Sequence, residues 1–127
     1  MGWLSRHAER VYALLRIVTG ILFACHGAQK LFGALGGTAM TSNPMMLAAG
    51  IIEFGGGLLI AIGLLTSWAA FLASGQMAVA YFMVHAKGGF WPIINKGELA
   101  VVYCFLFLYI AAHGSGPYGA DAAMRKR

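Results

Sequence analysis

The sequence predicts an all-α membrane protein, built as an antiparallel bundle of four transmembrane helices. Hydrophobic residues make up 60% of the 127-residue chain and charged residues only 10%, and the mean hydropathy is +0.74. A soluble domain carries about 25% charged residues, so this chain has too few charges to cover a surface that faces water. Its apolar stretches are long enough to cross a hydrocarbon core of about 30 Å. We expect residues 1–127 to form a single domain.

Turn-forming residues separate the apolar stretches and set the bounds of the spans. Pro44 suits the first turn of the second helix, with Asn43 or Ser42 as its N-cap. The Thr66-Ser67 turn is so short that the second and third spans must be antiparallel neighbours. The aromatic, glycine-rich segment 87–97 is typical of a loop at the membrane interface. The predicted spans cover residues 11–32, 45–65, 68–86 and 98–113.

The distribution of basic residues predicts the orientation in the membrane. Four antiparallel spans put both termini on one side of the bilayer, and the positive-inside rule makes that side the cytoplasm of a cell's inner membrane. The net charge of +5 does not indicate nucleic acid as a partner, because no basic residues line an amphipathic face. The terminal side carries Arg6, Arg10, Arg16, Arg125, Lys126 and Arg127, against Lys30, Lys87 and Lys96 on the other.

Several polar side chains interrupt the apolar spans. The segment 25–33, Cys-His-Gly-Ala-Gln-Lys-Leu-Phe-Gly, places His26, Gln29 and Lys30 at the end of the first span, and Glu53 interrupts the second. Ionisable groups in hydrocarbon cost several kcal/mol unless they are paired or hydrated, so they are rarely incidental. Glu53 also shares a stripe with small residues that suit close helix packing, so it should face protein and not lipid.

Helix phase at 100° per residue predicts that these polar groups converge. In the third span it aligns Ser74, Tyr81 and His85, and in the fourth it aligns Glu98 with Val102, Phe105 and Tyr109, a stripe that we expect to face inward. Depth, counted from the non-cytoplasmic ends of the spans, agrees, so we expect a pocket that opens to the outer side. The candidates for ligand binding or proton relay are His26, Gln29, Lys30, Glu53, Tyr81, His85 and Glu98.

Structural interpretations compete with the functional one. Lys30 and Glu53 are candidates for an ion pair that only fixes helix register. Arg16 either extends to the interface or forms a structural pair with Asp121 in the tail. The two cysteines, Cys25 and Cys104, lack CxxC spacing and are expected to behave as small hydrophobes.

A metal ion is a weaker hypothesis than an organic ligand. Two histidines and two carboxylates suit iron, manganese or zinc in a helical bundle. However, the Glu-x-x-His pairs typical of di-iron bundles are absent from the sequence. If a metal were bound, its ligands would come from His26, Glu53, His85 and Glu98.

The chain carries a series of motifs: Arg16-x-x-x-Gly20, His26-Gly27-x-Gln29-Lys30-Leu31-Phe32-Gly33, Gly50-x-x-Glu53-x-Gly55-Gly56, Gly63-Leu64-x-Thr66, Met77-x-Val79-Ala80-Tyr81-Phe82-x-Val84-His85, Phe90-Trp91-Pro92, Gly97-Glu98-Leu99-Ala100 and His113-Gly114-x-Gly116-Pro117-Tyr118-x-x-Asp121. Together these motifs resemble the DoxX family of small four-helix membrane proteins. The resemblance extends over nearly the whole chain; in the tail, Gly119-Ala120 replaces a more usual serine-leucine pair. It implies a redox setting, because relatives are associated with thiosulfate:quinone oxidoreductase or with membrane oxidoreductase complexes.

Two functions follow as hypotheses. The first is a redox-associated membrane subunit whose pocket binds a quinone or a similar small carrier, working with redox-enzyme partner subunits or as a homo-oligomer. The alternative is a non-enzymatic scaffold, or a small-solute carrier or channel, that uses the same pocket. The sequence holds no nucleotide-binding glycine loop, haem-attachment motif or nucleophile–base pair, which favours an oxidoreductase subunit over a self-contained enzyme.

Overall fold

The computed structural model describes residues 1–125, and within that range the chain is helical with no strand. Lys126 and Arg127, part of the predicted basic tail, lie outside the described residues. The helices are α1 (Gly2–Ser5), α2 (Ala8–Phe32), α3 (Pro44–Ile62), α4 (Thr66–Gly88), α5 (Pro92–Asn95), α6 (Glu98–His113) and α7 (Ala120–Arg125).

Three of these helices, α2, α3 and α4, are long and apolar enough to cross a membrane. The apolar helix α6 has 16 residues and is shorter. At 1.5 Å per residue it is about 24 Å long, somewhat less than the hydrocarbon thickness. The chain is therefore an all-helical membrane protein with at least three candidate spans in the described part.

Asn43 begins α3 as predicted from the sequence. Its side-chain oxygen accepts hydrogen bonds from the Met45 and Met46 amides at 3.0 and 3.4 Å, and Pro44 occupies the first turn. These contacts satisfy amide groups that have no partner within the helix. The cap fixes the end of α3 that lies nearest the predicted pocket.

Helices α3 and α4 each contain a π-helical turn, at Ile52–Gly56 and at Tyr81–His85. A π turn adds a residue to the helical repeat and rotates the side chains that follow it, and such turns are often found at functional sites. The first turn contains Glu53, and the second begins at Tyr81 and ends at His85. Both therefore involve candidate site residues.

Helix α2 packs against α3 in the opposite direction, with backbone against backbone. A Cβ atom added to Gly20 would lie 2.6 Å from both the Gly57 oxygen and the Ala61 nitrogen. Farther along α2, a Cβ on Gly27 would overlap the Phe54 backbone and approach the Gly50 oxygen. Such close approach is the usual basis of helix association in lipid, where small residues allow extensive van der Waals contact.

Helix α4 packs against α6, also in the opposite direction. Ser74 Oγ donates a hydrogen bond to the Cys104 carbonyl oxygen at 2.8 Å. The inward face of α6 differs from the prediction, because Val102, Phe105 and Tyr109 are exposed. Helix α6 is apolar around its whole circumference, so polar residues could not identify its buried side. That side consists of Ala100, Tyr103, Phe107 and Ile110, which meet Phe23 of α2 in the core.

Arg16 and Asp121 lie at the same turn, between α3 and α4, but do not form a salt bridge with each other. Arg16 is 1% exposed and donates to the Ile60 and Ala61 carbonyl oxygens, both at 2.7 Å. The Asp121 carboxylate accepts hydrogen bonds from the Leu65 and Thr66 amides at 2.9 and 3.0 Å. Arg16 therefore satisfies the carbonyl end of α3, while Asp121 satisfies the amide end of α4.

A candidate ligand cavity in the membrane region

A cavity of about 820 Å³ lies between the four long helices, in the half of the molecule away from the chain termini. Cavities of this size accommodate small organic ligands and cofactors. Its wall is mostly apolar and includes five polar side chains from three helices, α2, α3 and α4. The polar side chains that line it inside the helices are His26, Lys30, Glu53, Gln76 and His85, and Lys96 joins them from the connecting segment.

Glu53 is the centre of the polar part of the wall. It is only 2% exposed, and its Oε1 atom accepts a hydrogen bond from Lys30 Nζ at 2.7 Å. Its Oε2 atom accepts from Gln76 Nε2 at 2.6 Å. Both carboxylate oxygens thus have a donor, which offsets much of the cost of placing a charge in an apolar region. We call these three residues the Glu53 cluster.

Gln76 was absent from the candidates predicted from the sequence. Helix phase had selected Ser74 and Tyr81 on α4, and in the structure those two residues pack toward α6 and the loop before it. Gln76 instead points toward α2 and α3, where its Oε1 atom is buried without a partner among the described residues. The signal that could have revealed Gln76 is its depth, because it is an amide in the middle of an apolar span.

His26 lines the same cavity beside the Glu53 cluster. Its ring meets the Tyr103 ring edge-on, with 6.1 Å between the ring centroids and an interplanar angle of 88°. Within residues 1–125 the His26 side chain forms no hydrogen bond. A partly buried imidazole that makes no hydrogen bond within the fold can donate to or accept from a ligand.

Tyr81 and His85 lie near the rim of the cavity and contact residues 90–95, in the segment that connects α4 to α6. The Tyr81 hydroxyl donates to the Phe90 carbonyl oxygen, and Asn95 Nδ2 donates to the Tyr81 hydroxyl oxygen at 3.1 Å. His85 Nδ1 lies 3.4 Å from the Asn95 carbonyl oxygen. His85 lines the cavity, whereas Tyr81 holds the loop and does not line it.

Gln29 and Glu98 lie outside the cavity. The Gln29 side chain donates to the Leu35 carbonyl oxygen at 3.0 Å and thereby supports the loop after α2. Glu98 is exposed in the first turn of α6, where a carboxylate interacts favourably with the helix dipole. The structure thus brings together His26, Lys30, Glu53 and His85, but separates Gln29, Tyr81 and Glu98 from the cavity wall.

The suggested metal donors are not gathered into one group. Within residues 1–125, no three His, Cys, Asp or Glu side chains lie close enough to hold a metal ion together. Cys25 and Cys104 are both free thiols and partly buried, and Cys104 Sγ lies 3.5 Å from Ser74 Oγ.

The chemistry of the cavity is amphiphilic. One part of its wall offers an ammonium group, a carboxylate, an amide and imidazoles, and the rest offers aliphatic and aromatic surface. The polar groups can exchange hydrogen bonds with carbonyl or hydroxyl oxygens of a ligand. The apolar wall can bury rings or hydrocarbon, at about 25 cal/mol for each Å² removed from water.

Comparison of the sequence with known proteins identifies the family to which the chain is similar. The family model for DoxX matches residues 11–86, which include α3 and most of α2 and α4. An uncharacterized protein from Haemophilus influenzae is 40% identical over 134 aligned residues, covering 100% of both chains. No solved structure matches the chain.

Proposed function

The chain belongs to the DoxX family, and from this premise we propose that it is a membrane subunit associated with redox chemistry that binds a quinone or a similar small carrier. The observation that carries the proposal is the buried Glu53 cluster at one side of an otherwise apolar cavity. A quinone has the matching chemistry, with two carbonyl oxygens on an apolar ring.

Each polar residue of the cavity has a part in this proposal. Lys30, Gln76 and His26 supply hydrogen-bond donors for a quinone carbonyl, and Glu53 accepts a hydrogen bond from a quinol hydroxyl. The Tyr103 and Phe23 rings, which lie beside His26 in the cavity wall, pack against the quinone ring. In this proposal the electrons come from a partner subunit, and this chain positions the quinone and exchanges its protons.

The proposal includes a membrane topology in which α2, α3, α4 and α6 are four antiparallel spans. Both termini then lie in the cytoplasm and the cavity lies in the outer half of the inner membrane. Support comes from hydrogen bonds that join the start of α2 to the end of α6. Tyr12 at that start donates to the Gly114 oxygen at 2.7 Å, and His113 Nε2 lies 3.2 Å from Glu9 Oε1.

Quinone titration of the purified protein in lipid nanodiscs tests the proposal. Ubiquinone and menaquinone analogues should bind saturably, and Glu53→Gln should weaken binding by about tenfold or more, since a hydrogen bond to a charged group is worth about 1.5–3 kcal/mol. Glu98→Gln makes the same chemical change at an exposed carboxylate outside the cavity and should leave binding unchanged.

His26→Ala provides a second variant with little risk to the fold, because His26 makes no hydrogen bond within the described residues. It should also weaken quinone binding while preserving the thermal unfolding temperature. Absence of saturable binding, or equal binding by the wild type, Glu53→Gln and His26→Ala, would contradict the quinone proposal and leave the scaffold or solute-carrier alternative.

A further inference from the structure

The cavity has an open side, and its position is set by how α3 and α4 pack. These two helices meet at the level of Glu53 and below it, toward the short turn that joins them. The outer part of α3, Pro44–Ile51, packs mainly on α2 and not on α4. The cavity wall therefore lacks helix-to-helix contact between the outer halves of α3 and α4.

Residues on the α3 and α4 sides of this gap line the cavity and are also exposed on the outer surface of the molecule. On α3 the exposed lining residues are Met45, at the mouth, and Ala48, and on α4 several apolar side chains line the gap. Those on α4 are Val79, Met83 and Val84, which lie beyond Gln76 on the side away from the α3–α4 turn. The cavity is therefore continuous with an apolar surface that, in a membrane-spanning helix, faces hydrocarbon.

The opposite side of the cavity is closed by aromatic packing between α2 and α6. Phe23 contacts the Tyr103 and Phe107 rings at centroid distances of 5.4 and 4.6 Å, and the His26 ring meets Tyr103. An entering molecule would have to displace these buried side chains on that side. The gap between α3 and α4 requires no such displacement.

Gly75 adds an independent observation at this gap. It lines the cavity next to Gln76, and a Cβ atom built on it would have no heavy atom within 4 Å. A helical glycine with open space beside it leaves this side of α4, next to Gln76, uncovered by the other described residues. The polar cluster is thus reachable along an apolar route from the side of the molecule.

We propose that the gap between α3 and α4 is a lateral portal, through which the ligand enters from the bilayer. The ligand class is an amphiphile dissolved in the membrane: its polar head reaches the Glu53 cluster and its hydrocarbon tail leaves between the two helices. The identity of the ligand's head group as a quinone rests on the proposed function. The portal and the hydrocarbon tail of the ligand are inferred separately, from the shape and polarity of the cavity wall.

The portal is tested by comparing the binding of two probes that differ only in their hydrocarbon tail. The probes are a ubiquinone head group without a tail and the same head group with a ten-carbon tail, measured in identical lipid nanodiscs. Val79→Trp, which narrows the gap, should weaken binding of the tailed probe about tenfold, because the indole ring overlaps the path of the tail and relieving such overpacking costs affinity of about that order. It should leave binding of the tail-less probe unchanged.

Val102→Trp is the matched control. Val79 and Val102 are similarly exposed, at 54% and 51%, but Val102 lies on α6 outside the cavity wall. Its replacement should affect neither probe. If Val79→Trp affected both probes equally, or neither probe, the tail would not pass this gap and the portal would be refuted.

A spin-label experiment tests the portal independently of whether a quinone binds. Gly75→Cys is labelled with a nitroxide after Cys25 and Cys104 have been replaced by alanine, and its collisions with oxygen and with a water-soluble nickel chelate are compared in bilayers. High oxygen access with low nickel access supports the portal even if no quinone binds. High nickel access indicates an aqueous opening, and low access to both reagents indicates a second copy of the chain over the gap; either result overturns the portal.

Discussion

Asp121 illustrates how a single carboxylate can join two segments that are distant in sequence. It lies in α7, and its two oxygens accept hydrogen bonds from the first amides of α4. Burial by itself would raise the pKa of Asp121, but the hydrogen bonds from the Thr66 and Leu65 amides outweigh it and hold the pKa below its usual value. The ionised form therefore stabilises the folded chain.

The direction of this pKa change predicts how stability depends on pH. An unfolded aspartate has a pKa of about 3.9, so the contribution of Asp121 is complete above about pH 4 and is lost as the pH falls through the lower folded pKa. Asp121→Asn should reduce the unfolding free energy near neutral pH and bring the two proteins closer together in acid. Thermal unfolding in detergent between pH 7 and pH 3 measures the difference, and a constant difference across that range would contradict the prediction.

Residue by residue, the sequence identified the charged members of the site better than the neutral ones. Lys30 and Glu53 were predicted as neighbours and lie 2.7 Å apart, because an isolated charge in a span needs a partner. Gln76 carries no charge, and regular helix phase gave it no priority. The π turn at Tyr81–His85 also breaks the regular phase that had aligned Ser74 with His85.

At the scale of helices, the α2–α3 contact depends on glycine, and this gives a prediction about stability. Gly27→Ala would drive a methyl group into the Phe54 backbone, so we expect a loss of about 1–3 kcal/mol of unfolding free energy, the usual cost of overpacking. Thermal or denaturant unfolding in a fixed detergent measures the loss.

Gly75→Ala is the matched control, since its added methyl group meets open space in the same kind of helix. It should leave stability unchanged or raise it by up to about 1 kcal/mol, because alanine is the better helix former. If the two substitutions had equal effects, close packing between α2 and α3 would not explain the glycine at position 27.

The bounds of the helices could be predicted because the signals for them are local. Asn43-Pro44 begins α3, and the α3–α4 connection is as short as expected. However, the connection lies at residues 63–65, and the predicted turn residues Thr66 and Ser67 begin α4. The faces of the helices were harder to predict, most of all for α6, since a helix that is apolar on every side can face lipid or protein equally well. Tertiary contacts, such as Tyr103 against Phe23, decide its orientation, and these depend on residues far apart in sequence.

For the molecule as a whole, the number of membrane crossings depends on α6. The hydrogen bonds between the start of α2 and the residues after α6 bring the two ends of the helical region together. With the 16 residues of α6 spanning only about 24 Å, a full crossing requires local thinning of the bilayer or help from the flanking residues. The start of α2 and the end of α6 are nevertheless joined by hydrogen bonds, and they can lie on the same side of the membrane only if the chain crosses it an even number of times.

We therefore expect reporters fused to either terminus to lie in the cytoplasm, and a reporter inserted at Gly36 to lie outside. A green fluorescent protein that matures only in the cytoplasm and a phosphatase that is active only outside it give opposite readouts at each position. We base the expected orientation on the excess of arginine at the terminal end and on the positive-inside rule. Arg6→Glu with Arg10→Glu should weaken the orientation bias, whereas Lys87→Glu with Lys96→Glu should preserve it. If the C-terminal reporter were external while the N-terminal reporter was cytoplasmic, α6 would not cross, and the Glu53 cavity would lack its fourth transmembrane wall.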